Sequence, residues 1–105
     1  MVDQVRIGLP LETIRAYCRK QPIQRLALFG SVLRDDFTAE SDVDMLVEFQ
    51  PGAKVGYFKL VEIQDDLSML IGRPVDLLTQ KSLSPYFRQR VLDAAQVIYE
   101  AARDK

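Results

Sequence analysis

From Asp42 to Phe49 the chain alternates without a break. Val43, Met45, Val47 and Phe49 fall on one side, and Asp42, Asp44, Leu46 and Glu48 on the other. That period of two predicts a β-strand with one face in a core and one face carrying acids. Pro51-Gly52 ends it as a turn. A chain holding such a strand must supply partner strands on its edges and an apolar layer for its Val-Met-Val face.

The rest of the sequence supplies both. Pro10 opens a helix with Leu11, Ile14, Ala16 and Cys18 at roughly helical spacing, and the pattern stops before Pro22. Ile23 to Phe29 is a short apolar run closed by Gly30 and reads as a buried strand. Ser31 to Arg34 reads as the start of a short helix, and Asp35 to Ser41 as a polar loop. Tyr57 to Ile71 fits an amphipathic helix through Phe58, Leu60, Val61, Ile63, Leu67 and Leu70, with Gly72 as its C-terminal cap. Pro74 to Thr79 is a third strand. Ser84-Pro85 starts a last helix whose buried stripe is Phe87, Val91, Leu92, Ala95, Ile98 and Tyr99. The order α-β-α-β-α-β-α describes a small α/β or α+β fold, with strand directions left open.

With 105 residues, the chain is expected to form one domain, 1–105, without room for a deep, multi-sided pocket. The site is therefore expected to be completed by another molecule. Fourteen basic and fifteen acidic residues give a net charge of -1, which argues against a nucleic-acid binder. No residue is histidine. That excludes Ser-His and Cys-His catalysis and His-ligated zinc, so carboxylates must carry any acid, base or metal chemistry. Cys18 is the single cysteine and reads as a packed thiol. No long apolar run opens the chain, so neither a signal peptide nor a membrane span is expected, and the location is expected to be cytoplasmic.

Three features could carry that carboxylate chemistry. Asp42 and Asp44 share a strand face within ~7 Å, and two such charges call for a cation between them. Magnesium suits the pair, because it takes one or two carboxylates and completes its shell with water and phosphate. Taken alone, an Asp-x-Asp is more often a solvated strand end. Gly30-Ser31 follows a buried strand and opens a helix, where free N–H groups and a close backbone form a phosphate cradle. Arg34 stands one turn further, within reach of the same phosphates. An ordinary strand-to-helix turn has the same composition. Asp76 interrupts the apolar Val75-Leu77-Leu78 run, and is either an exposed edge residue or a buried acid in need of a partner. Together the three carboxylates and the anion-binding turn match a two-metal phosphoryl-transfer arrangement.

At this spacing the residues resemble a known family. Gly30-Ser31, ten residues, then Asp42-Val43-Asp44 is similar to the signature of the DNA polymerase β-type nucleotidyltransferase superfamily. The strings G-S-V-L-R, S-D-V-D-M-L-V and G-R-P-V-D-L-L-T resemble its minimal nucleotidyltransferase (MNT) group. The resemblance implies a short mixed sheet of three strands, or four, flanked by about four helices. It implies two Mg2+ ions on Asp42, Asp44 and Asp76, and ATP as nucleotide donor gripped by Gly30 and Ser31. It further implies an antitoxin that transfers AMP to a tyrosine of a HEPN-domain ribonuclease toxin, its partner in a hetero-oligomer. Asp35-Asp36 depart from the group's pattern and weigh on the phosphate role of Arg34. Two other functions stay open: an antitoxin that neutralises by binding alone, and nucleotidyl transfer to a small-molecule hydroxyl. Three carboxylates in pattern disfavour the first, and the lack of room for a substrate domain disfavours the second.

Overall fold

The computed structural model describes residues 9–30, 42–86 and 88–101. The predicted helix from Ser31 to Arg34 and the loop after it lie outside these. Helix α1 spans Leu11–Arg19 and follows Pro10, whose fixed φ suits a helix start. Strand β1 is Ile23–Phe29 and β2 is Val43–Phe49. Helix α2 runs Tyr57–Ile71 and stops at Gly72, whose φ of 83° is the left-handed conformation that a C-terminal cap requires. Strand β3 is Val75–Leu78, and a 3-10 turn follows at Gln80–Ser82. Helix α3, Arg88–Ala94, leads into β4, Gln96–Glu100.

The four strands form one sheet in the order β3-β2-β1-β4. β1 pairs antiparallel with both β2 and β4, while β2 and β3 run parallel. The sheet is therefore mixed, as the family resemblance implied.

The end of the chain differs from its predicted form. Ile98 and Tyr99 were expected on the last helix, but that helix ends at Ala94 and both residues lie in β4. The run Gln96-Val97-Ile98-Tyr99 is rich in β-branched and aromatic side chains. The edge of β1 away from β2 offers it a ladder of hydrogen bonds that a surface helix would leave unused.

Helices α1 and α2 cover one sheet face. Ile14 and Cys18 of α1 and Ile63 and Leu67 of α2 pack with Leu26, Leu28, Val43, Met45, Val47, Val75 and Leu77. Each of these large side chains contributes roughly 1.5–3 kcal/mol when fully removed from water. The Tyr17 hydroxyl donates to Asp66 Oδ2 at 2.6 Å and ties the two helices together. Cys18 is fully buried, and desolvation pushes its thiol up to about 11, so it is a packing residue as expected. Among the described residues no helix is long and apolar enough to cross a membrane.

Candidate active site

Because β2 alternates, burying Val43, Met45 and Val47 under the helices turns Asp44, Leu46 and Glu48 to the opposite face. The parallel ladder then places Asp44 directly beside Asp76, with Val43 beside Val75 and Met45 beside Leu77. Adjacent strands lie about 4.8 Å apart, so the two carboxylates leave the same face at neighbouring positions. The Val43 N–H donates to the Pro74 carbonyl at 2.9 Å, which pins the start of β2 to the start of β3. Asp42 is exposed and immediately precedes β2.

On the other flank of β2, Asp44 pairs with Phe29 of β1. Gly30 follows with φ of 78°. A Cβ built on Gly30 would collide with Asp44 Oδ2 and lie 3.2 Å from its Cγ. The Asp44 carboxylate therefore rests against bare glycine backbone. Any larger residue at position 30 would both strain the backbone and displace the acid.

Asp76 is exposed on the edge strand β3, so the cost of burying an unpaired acid does not arise. What holds it is the sealing of that edge. The Val75 N–H donates to Ser68 Oγ at 3.0 Å, and the Leu77 N–H donates to Gln64 Oε1 at 2.9 Å. Two side chains of α2 thus clamp the backbone on either side of Asp76. No sequence motif marks Gln64 or Ser68 for this task. Gln64→Ala is expected to leave the Leu77 N–H without its partner and to cost about 1–3 kcal/mol, read from urea unfolding. Gln64→Glu, which keeps an acceptor oxygen, is expected to lose less.

Of the predicted site residues, the structure brings Gly30, Asp44 and Asp76 together on the sheet face away from α1 and α2, with Asp42 at its rim. Ser31 and Arg34 lie outside the described residues. Among the described residues, no three His, Cys, Asp or Glu side chains stand close enough to hold a metal ion as a group. Magnesium needs only one or two protein carboxylates beside water and phosphate, and the Asp44–Asp76 pair meets that requirement with oxygen donors alone.

Residues 11–98 match the family model of the nucleotidyltransferase domain. The chain belongs to that family. It is 36% identical over 76 residues to a candidate protein adenylyltransferase of Methanocaldococcus jannaschii, MJ0435, covering 72% of this chain and 80% of the relative. Solved structures share the fold. A toxin–antitoxin with AMP-PNP superposes with a TM-score of 0.72 at 22% identity, covering 89% of this chain and 75% of that one. A complex of tri-AMPylated Shewanella oneidensis HEPN toxin with MNT antitoxin gives 0.62 at 22% identity, covering 87% and 70%. At that identity the two complexes carry the fold alone. As a nucleotidyltransferase, the chain bears its paired aspartates on the sheet face that α1 and α2 leave uncovered.

Proposed function

We propose that this nucleotidyltransferase is an antitoxin, a single domain spanning 1–105 that transfers AMP from ATP to a tyrosine hydroxyl of a HEPN-domain toxin. One observation carries the reading: Asp44 and Asp76 stand side by side in register, with Asp44 seated against Gly30. Adenylyl transfer within a toxin–antitoxin pair is supported by the relatives. The M. jannaschii relative is named for protein adenylyl transfer, one structural neighbour holds AMP-PNP, and another pairs an MNT antitoxin with an AMPylated HEPN toxin.

In this reading Asp42, Asp44 and Asp76 would together hold the two magnesium ions that accompany the triphosphate. When bound, magnesium neutralises the phosphate charge and makes pyrophosphate a better leaving group. Gly30 lets the backbone approach the β- and γ-phosphates, with Ser31 adding its hydroxyl and Arg34 a charged donor. Asp76, on the exposed edge, orients the incoming tyrosine. The tyrosine hydroxyl gives its proton to the Asp76 carboxylate as its oxygen bonds to the α-phosphorus, the bond from that phosphorus to the oxygen bridging it to the β-phosphorus breaks, and pyrophosphate leaves. The uncovered sheet face is where the toxin brings its hydroxyl. The setting is the cytoplasm.

The test is incubation with ATP labelled at the α-phosphate and magnesium, with and without the co-encoded partner. Label is expected on the partner, and none when magnesium is chelated. Label that never leaves ATP would contradict the proposal.

A further inference from the structure

Asp76 and Asp44 are fixed to different degrees. Asp44 lies in a seven-residue strand with a neighbour on each side, whereas Asp76 lies in a four-residue strand at the sheet edge. The Asp76 carboxylate makes no hydrogen bond or ion pair with another described residue. Its position is therefore set through its backbone.

One flank of that backbone is held by the parallel ladder to β2. The other is held by α2. Gln64 and Ser68 stand four residues apart on the helix, ~6 Å along its axis. Val75 and Leu77 stand two residues apart on the strand, ~6.6 Å along it, and their N–H groups leave the same edge. The two spacings agree, so one helix face meets both donors at once. The short Ser68 takes Val75, next to the Gly72 turn, and the longer Gln64 reaches Leu77, farther from it. The Ser68 hydroxyl gives its own proton to the Gln64 carbonyl at 2.9 Å, which leaves its oxygen to accept from Val75. The Ser68 carbonyl also accepts the Gly72 N–H at 2.8 Å. One residue thus fixes both the end of α2 and the beginning of β3.

We propose that Gln64 and Ser68 are positioning residues for AMP transfer, which hold Asp76 in register with Asp44 by anchoring Val75 and Leu77. The inference rests on the nucleotide-transfer reading above. Both residues act through the backbone on either side of Asp76, from the sheet face opposite its carboxylate. A short edge strand released on one flank opens locally. A displacement of about 1 Å at a reacting group costs on the order of a hundredfold in rate, and loss of one anchor out of two should cost roughly tenfold.

Three variants separate positioning from a purely structural role. Gln64→Leu and Ser68→Ala each remove an acceptor, and Gln64→Glu keeps one. Transfer of label from ATP to the co-encoded partner, at saturating magnesium, gives kcat and KM for ATP. Binding of Mn2+, which shares magnesium's preference for oxygen ligands, to the chain with AMP-PNP gives a readout without turnover. Gln64→Leu and Ser68→Ala are expected to lower kcat roughly tenfold, to leave KM for ATP unchanged and to weaken Mn2+ binding by roughly tenfold. Amide hydrogen exchange should quicken at Leu77 in Gln64→Leu and at Val75 in Ser68→Ala. Gln64→Glu should keep kcat and Mn2+ binding near the wild type.

Wild-type kcat and Mn2+ binding in both acceptor-free variants would overturn the proposal. So would unchanged amide exchange, or equal losses in Gln64→Glu and Gln64→Leu. If Gln64→Leu fails to fold, Ser68→Ala decides by the same measures. A wild-type chain that binds Mn2+ with AMP-PNP but labels no partner would overturn the transfer reading, and the Mn2+ and exchange comparisons would then decide whether the two anchors position Asp76. A wild-type chain that binds no Mn2+ would overturn both.

Discussion

Asp44→Asn will lower AMP transfer by roughly a thousandfold or more without unfolding the protein. The amide keeps the shape that rests against Gly30 and removes the charge that the proposed magnesium site needs. Metal-centred charge stabilisation supplies several kcal/mol to phosphoryl transfer, and each ~1.4 kcal/mol is tenfold in rate. Stability should change far less than the rate, because the amide preserves the side-chain shape beside Gly30 and the Asp44–Asp76 register. Transfer rate and melting temperature, measured on the same preparation, separate the two effects. A loss smaller than tenfold would remove Asp44 from the metal site.

Gly30→Ala is the second large effect, and it acts through geometry rather than charge. Alanine at φ of 78° costs about 1–2 kcal/mol in backbone strain. Its Cβ would also occupy the space of Asp44 Oδ2, so the carboxylate must swing away or the β1–β2 edge must open. A displacement of about 1 Å at a reacting centre commonly costs on the order of a hundredfold in rate. The variant should therefore be both less stable and at least about a hundredfold slower. Finding Gly30→Ala fully active would show that the glycine's contact with Asp44 has no bearing on catalysis.

The active face was legible in the sequence because β2 alternates. Once Val43, Met45 and Val47 were assigned to the core, Asp44 and Glu48 had to face outward. The pairing of Asp44 with Asp76 was not legible, since it depends on a parallel register that neither strand encodes by itself. The Asp76 run Val-Asp-Leu-Leu left buried and exposed readings open. Its position at the sheet edge, sealed by Gln64 and Ser68, resolves them in favour of exposure. The last segment misled for a physical reason. Val91, Ala95 and Ile98 recur at helical spacing, yet the unpaired edge of β1 captures Gln96–Glu100 as a strand and stops the helix early. Arg25, between Glu48 and Glu100, carries no motif at all. It emerges only when β1 is placed between β2 and β4.

The proposed function stands or falls on AMP reaching a tyrosine of a HEPN toxin. Intact-mass and peptide mass spectrometry of the co-encoded partner, after incubation with this chain, ATP and magnesium, tests that directly. One or more AMP adducts on tyrosine are expected, absent with the Asp42→Ala/Asp44→Ala double variant, together with a toxin that stays active when only that variant is supplied. An unmodified partner that the double variant still neutralises would contradict it.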